Sequence, residues 1–225
     1  LVLGSVGYGV GTYPAVDPNM VLYYHFNNQS AYGENDTLVY DWSGNGNNGT
    51  VNGATLSSDR FGNSDKAYSF NGSSYIGIPE LFQANATAFT ISAWATTEEL
   101  NTVDHAIYYK GTLQGEAGFG IDGDSPFGFG VNLSNTWYKL HAPNPPELNK
   151  FYHVLATYER GDSIKLWVNG TEVDSKSIPA LDLFFQYSPP TLSSIGAVYG
   201  GTLNFWKGVI DDIRIYNRAL TVAEI

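Results

Sequence analysis

Residues 152–175 read YHVLATYERGDSIKLWVNGTEVDS. Two runs rich in β-branched and aromatic residues are joined by Arg160-Gly161-Asp162, and Asn169-Gly170 then supplies a two-residue type I′ turn into a third run. Tight turns of this kind join antiparallel neighbours, so the segment predicts a meander of three strands. The same grammar extends outward. VLYYHF at 21–26, AYSF at 67–70, YIGI at 75–78 and FTISAWATT at 89–97 are strand-like, with Asn71-Gly72 marking a turn. GFGIDGDSPFGFGVN at 118–132 predicts a hairpin closed by its polar, proline-containing centre. From Val209 to Tyr216 apolar and polar residues alternate, which predicts a last strand followed by a short turn.

Helical periodicity is nearly absent, and 225 residues that are 43% hydrophobic and 15% aromatic suffice for one substantial core. The expectation is an all-β protein, a two-sheet antiparallel sandwich over residues 17–225 preceded by an arm at 1–16.

Eleven Lys and Arg stand against 22 Asp and Glu, a formal charge of −11 that repels phosphate backbones and anionic membrane surfaces. Nucleic acid is therefore not an expected partner. The absence of Cys excludes disulfides, thiol nucleophiles and Cys-ligated zinc. No stretch approaches the roughly 18 apolar residues of a spanning helix, so no transmembrane segment is expected. Asn-X-Ser/Thr triplets begin at Asn28, Asn35, Asn48, Asn71, Asn85, Asn132 and Asn169. An Asn-, Ser- and Thr-rich β protein generates some by chance, but seven favour an exported chain with N-linked glycans, secreted by a cleaved signal peptide.

Residues 20–225 resemble the LamG-like jelly-roll domains of the concanavalin A-like lectin/glucanase superfamily. The resemblance rests on ordered blocks: VLYYHFN, DWSGNGNNGTVNGATLSSDRFGNSDKAYSFNGSSYIGIP at 41–79, FTISAWATT, FYHVLATYERGDSIKLWVNGTEV, TLSSIGA at 191–197 and FWKGVIDDIRIYNRALTVAEI at 205–225. It implies a jelly-roll of two curved sheets packed face to face. Such domains serve as sugar-binding, adhesion or purely structural units, so the fold does not choose among them.

A glycosidase needs two carboxylates across a cleft. Glu98 and Glu99 are adjacent, which on a strand points them to opposite faces, and nothing matches the Glu-X-Asp-X-X-Glu strand that superfamily hydrolases resemble. No catalytic residue is expected. His25, His105, His141 and His153 are scattered, without a metal-ligand spacing. Structural calcium is the metal expectation, held by Asp41, Asn45 and loop carbonyls with Asp211, because calcium accepts six to eight oxygen ligands; LamG-like domains often carry calcium near the corresponding segments. Asp122-Gly123-Asp124-Ser125 is a weaker ligand cluster. For surface glycans, Trp137, Tyr138 and Trp206 are candidate stacking platforms, whereas Trp94 and Trp167 read as core.

Residues 1–16 carry no charge before Asp17. If extended, Val2, Val6, Tyr8 and Val10 share one face, and Leu1 and Leu3 share the other with Ser5, Gly7 and Gly9. Such an arm needs shelter, either in its own sandwich or, spanning roughly 50 Å, in a neighbour. The second option makes identical subunits into a head-to-tail polymer by donor-strand complementation. Archaeal surface threads and chaperone–usher pili are the analogy. The leading expectation is thus a non-enzymatic, glycosylated subunit of an extracellular, archaeal-type surface filament. The alternative is a carbohydrate-binding or adhesion module whose arm is its first strand, and a glycoside hydrolase ranks third.

Overall fold

The computed structural model describes residues 17–82, 85–100, 104–110, 117–121, 126–183, 193–198 and 200–225. Its strands are β1 (Met20–Tyr24), β2 (Leu38–Val39), β3 (Gly49–Asn52), β4 (Thr55–Ser57), β5 (Ala67–Asn71), β6 (Tyr75–Ile78), β7 (Ala88–Ala95), β8 (His105–Lys110), β9 (Ala117–Ile121), β10 (Phe127–Leu133), β11 (Thr136–His141), β12 (Tyr152–Glu159), β13 (Ser163–Val168), β14 (Thr171–Ser177), β15 (Ser193–Ile195) and β16 (Lys207–Tyr216). They form two antiparallel sheets. One runs β14-β13-β12-β7-β16-β5-β4 with β1 also on β16; the other runs β11-β10-β9-β8-β15-β6-β3-β2.

The meander at 152–175 forms as the turn chemistry predicts, with Asn169 and Gly170 both at positive φ, 51° and 76°. A turn the sequence hides joins β10 to β11: Ser134 and Asn135 adopt φ of 47° and 70° without any glycine. The two-residue period then sorts side chains between core and surface. On β7, Phe89, Ile91, Ala93 and Ala95 are buried in the core. From the facing sheet come Phe119, Phe127, Phe129 and Val131, and Phe89 meets Phe129 edge to face at 6.1 Å across the sandwich. Each such side chain contributes about 1.5–3 kcal/mol by leaving water.

Trp94 corrects the sequence reading. It lies on the outward register of β7, half-buried beneath Arg60, while Trp167 is buried as expected. Trp206 is corrected in the other direction: it is fully buried, with Nε1 donating to the Thr96 carbonyl at 3.0 Å, and offers no platform.

Candidate functional site

The alternation that drives phenylalanines into the core on β9 and β10 leaves Gly118, Gly120, Gly128 and Gly130 on the opposite face. Gly118 pairs with Gly130 and Gly120 with Gly128, so four neighbouring positions of one sheet carry no side chain. They floor a cavity of about 460 Å³. β11 supplies one wall, Trp137 and Lys139, and β8 with the 198–204 loop supplies the other, Tyr109, Val198 and Asn204. Asn132, Asn135, Asp104 and His105 complete its polar edge.

The glycines are required by space. A Cβ on Gly130 would sit 3.2 Å from the six-membered ring of Trp137, so the indole leans over the bare backbone. A Cβ on Gly120 would lie 2.0 Å from the His105 carbonyl oxygen, which no relaxation of a side chain cures. Trp137 remains 40% exposed, an aromatic face open to a ligand. His105 is buried and its Nδ1 bonds the Phe205 carbonyl at 2.7 Å, which fixes the ring at the base of the wall.

The outer face of the other sheet carries charged and aromatic groups around a second cavity of about 420 Å³, lined among others by Tyr23, His25, Arg60, Asp211, Asp212 and Arg214. Asp212 takes φ 53° in a bulge of β16, so two consecutive carboxylates reach the same cation. Arg60, from the loop between β4 and β5, bonds Asp211 Oδ2 at 2.7 Å and Asp212 Oδ2 at 3.1 Å. Its guanidinium lies 4.5 Å from the Phe61 ring centroid and 4.9 Å from that of Trp94. Arg214 bonds Asp212 at 3.0 Å and the Tyr23 hydroxyl at 3.3 Å. Burial, reinforced by Asp212, pushes Asp211 up to about 7 against the pull of Arg60. Burial holds the His25 ring down at about 4, although Asp212 pulls it upward. His153 is also lowered by burial and bonds Ser92 Oγ at 2.8 Å.

The calcium expectation meets carboxylates already occupied by donors. Asp41 accepts the backbone N–H groups of Tyr23, Ser43 and Asn47 and the Ser43 hydroxyl, all at 2.9–3.0 Å. Asn45 spends its amide N–H on the Met20 carbonyl and Ser43 Oγ. Asp211 is turned to Arg60, and Asp41 organises its own loop. Among the described residues no group of three or more His, Asp or Glu side chains is arranged to hold a metal ion. Asp122 to Ser125 lie outside the described residues. Glu98 is exposed beyond the end of β7, and Glu99 pairs with Lys207 at 3.3 Å.

Of the acceptor asparagines, Asn35, Asn48, Asn71, Asn85 and Asn169 are exposed and Asn28 is half-buried. Asn132 is buried at the edge of the cleft, 1% exposed. Tyr138 faces inward and packs on the core, leaving Trp137 as the platform of the three proposed. The arm residues Leu1, Val2, Leu3, Val6, Tyr8 and Val10 lie outside the described residues. In both sheets each interior strand is hydrogen-bonded on both sides by strands of this chain. The lining residues Tyr109, Lys139 and Asn204 had no sequence motif, and Asn132 stood out only as an acceptor triplet; the alternating Phe-Gly of β9 and β10 was the available signal.

The two antiparallel sheets define a jelly-roll sandwich. Residues 70–225 match the Concanavalin A-like lectin/glucanases superfamily, and the chain belongs to that family. Among solved structures it is similar to Domain 4 of AbnA, a GH43 extracellular arabinanase from Geobacillus stearothermophilus, in complex with arabinotriose. The TM-score is 0.69 at 23% identity, covering 92% of this chain and 96% of that one. It is also similar to the binding domain of Paraclostridial Mosquitocidal Protein 1, with TM-score 0.68, 19% identity, and coverage of 92% and 50%. The binding domain of Botulinum Neurotoxin DC in complex with SialylT gives TM-score 0.68, 14% identity, and coverage of 92% and 50%. The chain thus spans about half the length of these toxin chains, and at such identities the likeness is one of fold. No curated protein gives a significant match. Among the described residues no helix is long and apolar enough to cross a membrane.

Proposed function

We propose that the chain is a non-catalytic carbohydrate-binding module of an extracellular protein and that the glycine-floored cleft is its binding site. The observation that carries this reading is Trp137, 40% exposed and packed over the side-chain-free backbone of Gly130. A sugar presents an apolar ring face for the indole and hydroxyls for the amides of Asn135 and Asn204. Among the described lining residues Asp104 is the single carboxylate, whereas glycoside hydrolysis employs two. The arabinotriose complex of the structurally similar arabinanase domain supports a sugar ligand. The exposure of Asn35, Asn48, Asn71, Asn85 and Asn169 is compatible with N-linked glycans on an exported chain. Titration calorimetry against a panel of oligosaccharides tests the reading. Trp137→Ala is expected to weaken binding at least tenfold while leaving Tm within 2 °C or so, because the ring is exposed and outside the core. Unchanged affinity for every bound sugar would remove the cleft from the proposal.

The filament reading rests on the uncharged arm. Since the interior ladders are complete, a donated arm would add at an outer edge, β14, β4, β11 or β2. Electron microscopy of the chain with and without residues 1–12 tests it: filaments that vanish on truncation support it, and their absence from the intact chain rejects it.

A further inference from the structure

The second cavity lies between the sheet and a loop that is pinned near both ends. Residues 58–66 link β4 to β5 and line the cavity together with β1 and β16. Near one end Arg60 is tied to Asp211 and Asp212; at the other Lys66 Nζ donates to the Asn27 carbonyl at 2.6 Å. Asp59 folds the loop on itself, its Oδ1 accepting the Phe61 and Asn63 N–H groups, each at 2.8 Å, and its Oδ2 the Asn63 side-chain amide at 2.9 Å. On the sheet, Tyr23 of β1 stands opposite Arg214 of β16, and alternation places His25 next along the same outward face.

Acceptors and donors in this cavity are unequally engaged. Each of its three carboxylates is already bonded: Asp59 to its own loop, Asp211 to Arg60, and Asp212 to both Arg60 and Arg214. Lys66 makes its one bond to Asn27 and, among the described residues, no ion pair, which leaves two of its three N–H groups open. Arg214 gives Nη2 to Asp212 and to the Tyr23 hydroxyl, while its Nη1 has no acceptor among the described residues. His25 Nδ1 accepts the Asn27 N–H at 3.0 Å, so the neutral ring carries its proton on Nε2, and that N–H has no acceptor among them either. These donors are near enough to feel one another, since Lys66 and Arg214 both oppose protonation of His25.

A ligand that answers open donors must bring acceptors. Three cations face three carboxylates, and burial pushes Asp211 up to about 7, so the cavity carries no excess of negative charge against a monoanion. It has no surplus of cations for a dianion, which the formal charge of −11 also opposes more strongly. The rings of Tyr23 and His25, edge to face at 5.7 Å, and Phe61, 74% exposed, add apolar surface. A volume of about 420 Å³ suits one small molecule.

We infer that this cavity binds a small monocarboxylate, its oxygens accepting from Arg214 Nη1, His25 Nε2 and Lys66 Nζ and its body resting against Tyr23 and Phe61. The site is separate from the glycine-floored cleft and does not depend on the carbohydrate-binding reading.

The test is calorimetry of the full chain with benzoate and glucuronate, with benzamide and glucose as their uncharged counterparts and inorganic phosphate as the contrasting anion. Wild type is compared with Lys66→Met, which keeps the stem without the ammonium, and His25→Phe, which keeps a ring without the N–H. Lys66→Arg keeps charge and donors, and Trp137→Ala reports on the cleft. At least one acid is expected to bind about tenfold or more tighter than its uncharged counterpart and to weaken about fivefold or more in Lys66→Met and in His25→Phe. Lys66→Arg is expected to retain that binding. Benzoate alone assigns the site to small organic acids and glucuronate alone to acidic sugars, and either result supports the inference. Phosphate bound as tightly as the acids overturns the carboxylate assignment. Binding indifferent to both Lys66→Met and His25→Phe overturns the site, and its loss in Trp137→Ala would move the acid to the cleft. No binding of either acid up to about 10 mM overturns it as well. If Lys66→Met unfolds, His25→Phe carries the same decision.

Discussion

On the outer face of the β8–β11 sheet four adjoining positions carry only hydrogen at Cα, whereas on the outer face of the β7–β16 sheet Arg60, Trp94, Asp211, Asp212 and Arg214 form a network of ion pairs and ring contacts beside a cavity of about 420 Å³. The second face has more charge and more aromatic surface, yet its carboxylates are spent on neighbouring donors. The first has fewer charged groups and an indole that is 40% exposed. A site is recognised here by that exposed aromatic face and by glycine positions beside a cavity, more than by the density of functional groups.

The largest expected effect breaks the first face. Gly120→Val drives its Cβ into the His105 carbonyl and should cost about 3 kcal/mol or more, read as the midpoint of chemical denaturation. A variant as stable as wild type would mean the floor is free to move and its glycines are incidental.

Next is Arg60→Ala on the second face, which leaves the buried Asp211 carboxylate without its cation. It should cost about 2 kcal/mol at pH 8, and less at pH 5 where Asp211 takes up a proton. Oligosaccharide binding at the cleft should not change. If affinity falls with stability, the two faces are coupled and the contrast fails.

The smallest effect concerns pH. Asp211 is raised in the fold, so its contribution is fully present below the unfolded value near 4 and is lost as pH rises through about 7. His25 is lowered in the fold, so its contribution is present above the unfolded value of 6.5 and is lost as pH falls towards 4. Between these limits the folded chain keeps one proton on Asp211 and the unfolded chain gains one on His25, and the slopes oppose. Relative to wild type, Asp211→Asn should therefore lose stability as pH falls from 6.5 to 4.5, and His25→Phe should gain it. Each slope is at most about 1.4 kcal/mol per pH unit. Because His153 acts in the same direction as His25, the difference from wild type is the quantity to compare in urea titrations at three pH values. Parallel curves would show that neither group titrates as its surroundings require.

Turn chemistry and two-residue alternation made the meander at 152–175 legible, since Asn169-Gly170 has a narrow conformational repertoire. Strand β11 was not legible, because its turn, Ser134-Asn135, reaches positive φ without a glycine. Trp94 and Trp206 were misplaced for a common reason: alternation fixes which residues share a face but not which face is covered, and Arg60 arrives over Trp94 from 34 residues away in sequence. The rule that adjacent strand residues oppose each other hid Asp211 and Asp212, which a bulge brings together. Trp137 was legible as a platform. Its partners on β8 and the 198–204 loop were not, because strand register assembles them and no motif does.

Along β9 and β10 the phenylalanines and the glycines answer to different demands, although they alternate letter by letter. Recognition is decided on separate segments, by Trp137 and Lys139, Tyr109 and Asn204. Randomising those four codons while keeping the two central strands intact is thus a route to new ligand preferences on an unaltered scaffold, with the foldable part of the gene and its selectable part already partitioned.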